Sequence, residues 1–86
     1  MGDEYPKEVK MEQVESLIGL YTVLWRKQAK QAAKFIGTEE DTDGKRVVYE
    51  LLSDPDKGEL FSARYDPSQV VIAYDEGTKV MALLDG

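Results

Sequence analysis

Apolar residues recur at Val14, Leu17, Ile18, Tyr21, Leu24, Trp25, Ala32, Phe35 and Ile36. That is the i, i+3, i+4, i+7 spacing of one helix face. At about 100° per residue these positions, with Leu20, fall within an arc of roughly 160°. Gly37 follows the last apolar pair and suits a left-handed C-terminal cap. Pro6 suits the first helical turn or the position just before it. The pattern predicts one long amphipathic helix over 9–36, in which Gly19 allows a kink because glycine costs about 1 kcal/mol relative to alanine. Trp25 lies on the apolar face and is expected in the core, where truncation costs about 3–5 kcal/mol. Glu8, Glu12 and Glu15 come early on the opposite face, and Arg26, Lys27, Lys30 and Lys34 late. That order complements a helix dipole.

From Lys45 onward the period changes. Arg46–Leu52, Glu59–Tyr65, Gln69–Tyr74 and Thr78–Leu84 are short runs rich in β-formers. They are separated by Asp54-Pro55-Asp56-Lys57-Gly58, Asp66-Pro67-Ser68 and Asp75-Glu76-Gly77, residues that reverse a chain. Short connections predict an antiparallel meander, with Val47–Leu52 the run most easily read instead as a short helix. The expected fold is therefore α+β: one long N-terminal amphipathic helix packed on a three- to four-stranded antiparallel β-meander. The organisation is a single domain over 1–86, with 1–8 as a flexible arm, 9–36 as helix and 45–84 as sheet.

Two mismatches suggest surplus apolar surface. In the last two runs both alternating sets are largely apolar, including Val71, Ala73, Met81 and Leu83. A sheet carrying a single helix should instead have a polar outer face. A helix over 11–36 spans about 39 Å, whereas seven-residue strands reach only about 23 Å. An outer apolar face needs a second subunit or a partner, so a homodimer or a docking module is expected.

Composition narrows the chemistry. The chain has 86 residues and a net charge of −6, with neither histidine nor cysteine. Disulfides, thiolate zinc sites and histidine-dependent hydrolysis are excluded. No apolar run is long enough to span a membrane, and the N-terminus has no secretory pattern. The acidic balance disfavours nonspecific nucleic-acid binding. No phosphate loop or dinucleotide fingerprint occurs, and no cofactor is implied.

One local pattern touches metal chemistry. With Glu39 as position 1, Asp41 and Asp43 fall at 3 and 5, Gly44 at 6 and Glu50 at 12. Over these twelve residues the segment resembles an EF-hand calcium loop. It departs by Glu at position 1, by Arg46 at position 8 and by Asp54-Pro55 soon after. A solvated acidic turn accounts for the same residues.

The function these features favour is a small acidic, non-catalytic protein–protein interaction module: a cytoplasmic adaptor, inhibitor or assembly factor, of the kind phages encode. It would act through an exposed apolar sheet face or the helix, and the candidate contact residues are Arg26, Lys30, Lys34, Val71, Ala73, Met81 and Leu83. A structural subunit of a homo-oligomeric assembly is the first alternative. A nucleic-acid binder using Arg26, Lys30, Lys34, Lys45 and Arg46 is the second.

Overall fold

A computed structural model describes residues 5–85, and positions 1–4 of the expected arm lie outside them. The described residues are mostly β, with short helical segments. The elements are β1 (Lys7–Lys10), a 3-10 turn (Met11–Gln13) running into α1 (Val14–Leu17), β2 (Tyr21–Arg26), β3 (Ala29–Asp41), β4 (Gly44–Leu51), β5 (Leu60–Arg64), β6 (Val70–Ala73) and α2 (Gly77–Asp85).

The expected long helix is not formed, and the α+β reading is replaced by a mostly β fold. Helical spacing holds only for Met11, Val14 and Leu17, which are buried. Helix α1 stops after one turn, where Gly19 takes a φ of +92°, a conformation glycine adopts without steric cost. There the Gly19 N–H donates to the Phe35 carbonyl and the Leu20 N–H to the Leu17 carbonyl, and the chain enters β2.

Strands β2 and β3 form a hairpin in which Arg26 pairs with Ala29 across Lys27 and Gln28. Both turn residues have positive φ, 51° and 63°, matching the right-handed twist of the flanking strands. Gln28 is thus a turn residue. A bulge at Ile36 shifts the β3–β4 register between Phe35 and Gly37, and that extra residue bends a long strand.

The larger sheet runs β2-β3-β4-β5, all antiparallel, and the smaller pairs β1 with β6. Three of the four runs read as strands are β4, β5 and β6. The meander ends at β5, however, because β6 returns to pair with β1. Lys7 and Glu8, read as part of an arm, sit in that pairing. The fourth run, Thr78–Leu84, falls within α2, so the helix of this fold lies at the opposite end of the chain from the one expected.

Both sheets and the short helical turn enclose one core of Met11, Val14, Leu17, Ala33, Phe35, Val47, Tyr49, Leu51, Val71 and Ala73. Phe35, Tyr49 and Phe61 are cross-strand neighbours on β3, β4 and β5. Their ring centroids lie 5.0 and 6.1 Å apart, within the range of favourable aromatic pairs. On the other side of the large sheet, α2 packs on β3 and β2. Ala32 and Val80 are fully buried but do not belong to the inner cluster, which marks this second interface. Gly77 makes the approach close, since a Cβ there would sit 3.2 Å from the Tyr21 ring. No helix among the described residues is long and apolar enough to cross a membrane.

Candidate functional site

Tyr21 and Tyr74 exchange main-chain hydrogen bonds of 2.8 Å, the sole bridge between β2 and β6 among the described residues. One side-chain bond reinforces it: the Thr22 hydroxyl donates to the Ile72 carbonyl at 2.8 Å. Past that point the two strands separate. Between them lies a cavity of about 380 Å³ lined by Val23, Leu24, Lys30, Tyr49, Val70, Ile72 and Leu83, among others.

Strand alternation decides which groups face this seam. Tyr21 directs its N–H and C=O toward β6, so Val23 and Trp25, at the same parity, do likewise. The opposite parity, Thr22, Leu24 and Arg26, bonds to β3. The turn geometry agrees, because a two-residue turn closes on a hydrogen-bonded pair, here Arg26 and Ala29. Among the described residues, no hydrogen bond outside the β2–β3 ladder uses the main chain of Val23 or Trp25.

Side chains follow the same alternation. Leu24 packs against the inner core, while Trp25 stands on the outer face beside its cross-strand partner Lys30 and is 70% exposed. Trp25, expected in the core, is a surface residue. On β6, Val71 and Ala73 point into the core, so these two candidate contact residues are replaced on the surface by Val70 and Ile72, 51% and 40% exposed. Leu83, 46% exposed, reaches the rim from α2, with Met81 exposed on the same helix. Reading Thr78–Leu84 as a strand hid this convergence. The signal that could have revealed it is the β-rich composition of Tyr21–Trp25, which alternates as well as it spirals.

The basic stripe does not survive as a stripe. Arg26 turns to the inner side, where its guanidinium lies 4.4 Å from the Phe61 ring centroid. Its Nη1 donates to Gln31 Oε1 at 2.8 Å and meets Asp56 Oδ2 at 3.0 Å. Lys27 Nζ lies 3.2 Å from the same oxygen, and Gln31 Nε2 donates to it at 3.1 Å. These bonds, Gln31 foremost and then Lys27 and Arg26, hold the Asp56 carboxyl below its ordinary 3.8. Asp56 is a buried clamp that ties the β4–β5 connection to the β2–β3 turn. Ser53 adds a strut by accepting the Ala32 N–H at 3.1 Å. Lys30 and Lys34 stay on the outer face, Lys34 with its ammonium 5.8 Å from the Tyr21 ring centroid. Lys45 lies over the Tyr65 ring at 4.5 Å, and Arg46 donates to Ser62.

Glu39, Asp41, Asp43 and Glu50 belong to the β3–β4 hairpin, with Asp41 and Gly44 paired at its tip. Asp41 accepts the Asp43 N–H at 2.8 Å, an Asx turn. Strand geometry separates Glu50 from the tip, and among the described residues no three acidic groups come together to hold a metal. The pKa values of Asp66 and Tyr49 are displaced as well. The Asp66 carboxyl is lowered by hydrogen bonds from Ser68, and burial raises the Tyr49 phenol.

The chain matches no protein-family model, no curated protein and no solved structure.

Proposed function

We propose that this chain is a non-catalytic protein–protein interaction module whose contact surface is the open β2–β6 seam and its apolar rim. One observation carries the reading: the only tryptophan of the chain stands 70% exposed on β2, next to Leu24 and opposite Lys30, which line that seam. Tryptophan is among the residues most enriched at binding hot spots. Val70, Ile72 and Leu83 extend the apolar rim, and isolated exposed apolar residues are ordinary whereas a contiguous group marks an interface. The displaced pKa values of Asp56, Asp66 and Tyr49 come from the clamp, the Ser68 turn and burial, structural causes that support a binding role over catalysis. A cytoplasmic location goes with this reading, since a chain without cysteine needs no oxidising compartment to fold.

The test compares the intact chain with Trp25→Ala as affinity baits in extract of the native host, together with light scattering of each. The expected result is a reproducible, stoichiometric protein partner that the variant loses while keeping its melting temperature. Equal retention by both baits would overturn the reading. A concentration-dependent dimer abolished by the same substitution would make the partner a second copy of this chain.

A further inference from the structure

The seam has a polarity that an apolar patch alone lacks. Its β2 wall is a strand edge: Val23 and Trp25 direct both N–H and C=O into it. Unpaired edges are templates for a further strand, and extended peptides bind by adding to such edges, with main-chain bonds giving affinity and side-chain pockets giving specificity. On the facing wall the Ile72 carbonyl is already taken by Thr22, so β2 is the freer edge.

Shape selects the occupant. The seam is shut at one end by the Tyr21–Tyr74 bridge and walled by Val70, Ile72 and Leu83. The β2 edge is flanked by β6 and α2, which leaves more room for a lone extended segment than for a strand held in another sheet. Such a segment can enter from the open end beside Trp25. About three residues would lie along Val23 to Trp25, roughly 10 Å of strand. A cavity of about 380 Å³ is within the range that holds specific ligands. Charge then sets one further feature: Lys30 lines the seam and makes no ion pair among the described residues.

We propose that an extended segment of a partner protein adds to β2 as a fifth strand of the large sheet. It pairs with the main chain of Val23 and Trp25, turns alternate apolar side chains into the seam and sets a carboxylate against Lys30. The inference rests on the interaction-module reading above and names the form of its partner.

The probes are blocked synthetic pentapeptides alternating valine, leucine or phenylalanine with glutamate, titrated into the full chain. Trp25 fluorescence and amide exchange are the readouts. The expected result is a shift of emission to shorter wavelength and protection of the Val23 and Trp25 amides by about tenfold or more. Replacing glutamate by lysine should weaken binding by up to about fivefold, the range of an exposed charge pair. N-methylation of the peptide backbone should abolish it. Val23→Pro removes an edge-facing N–H, which edge strands tolerate, together with the Val23 side chain, so Val23→Ala is the control; the proline variant should keep the melting temperature and lose the peptide, and the alanine variant should retain it.

N-methylated peptides binding as well as their parents would overturn strand addition and leave the interaction surface standing. The same holds if no peptide binds at millimolar concentration while the Trp25-dependent partner is still captured. If neither peptide nor partner depends on the seam, both readings fall. Protection of Val23 and Trp25 that grows with protein concentration alone would place a second copy in the seam and overturn the segment.

Discussion

The two edges of β2 have different fates. Toward β3 it is paired over its full length, from Tyr21–Lys34 to Arg26–Ala29, and its inner Leu24 packs on the core. Toward β6 it makes one bridge and then diverges. The hairpin that carries both edges also carries two aromatics of opposite status, Phe35 in the core and Trp25 in water. Pairing and burial are separable here: a strand can be fixed by one neighbour while its other edge stays open for use.

Four substitutions sharpen that contrast. Phe35→Ala should have the largest effect, lowering stability by about 3–5 kcal/mol in denaturant unfolding, because it leaves a cavity beneath Tyr49. Leu51→Ala, at the other end of the same core face, should cost about 2–5 kcal/mol. A value near zero for either would mean that the core is placed wrongly. Asp56→Ala should come next, since it leaves the buried Gln31 amide and the Arg26 guanidinium without their shared acceptor. Trp25→Ala should come last, within about 0.5 kcal/mol of the parent, while removing the fluorescence signal. A loss comparable to that of Phe35→Ala would restore Trp25 to the core and close the open edge.

Acid titration tests the clamp separately. The folded pKa of Asp56 lies below its ordinary 3.8, so the folded state favours the ionised form. Its contribution is complete above the unfolded pKa and is lost as pH falls through the folded value. Asp66 behaves alike for its own reason. Stability should therefore decline below about pH 4, less steeply in Asp56→Asn than in the parent. Equal slopes would mean that the carboxylate is not bonded as described.

The sequence was readable where one face of a strand is buried and the turns are chemically plain. Val47, Tyr49 and Leu51 alternate with half-buried residues, and β4, β5 and β6 followed from such runs. It misled over 21–36 for three physical reasons. Ala29, Lys30, Gln31, Ala32, Ala33 and Lys34 have high helix propensity, which sheet packing overrides. Ala32 and Ala33 are buried on opposite faces, one near α2 and one in the core, so the alternation expected of a strand disappears. Lys27 and Gln28 make a positive-φ turn without glycine, asparagine or aspartate, leaving no signal for the reversal. At the far end, Thr78–Leu84 is a short apolar run that periodicity cannot assign to helix or strand. As a helix it packs on the outer face of β3 and β2. The candidate site shared these errors, since an exposed Trp25 and the divergence of β2 from β6 become visible only once β2 is a strand.

The Asp56 clamp has a consequence for recognition. Three donors from the β2–β3 hairpin meet one carboxylate from the β4–β5 connection, and this hairpin end holds both Trp25 and Lys30. A ring mounted on so braced a tip has little freedom left to surrender when something closes over it, and unspent freedom of that kind translates directly into tighter association. Under the proposed strand addition, loosening the brace should weaken peptide binding chiefly through faster release.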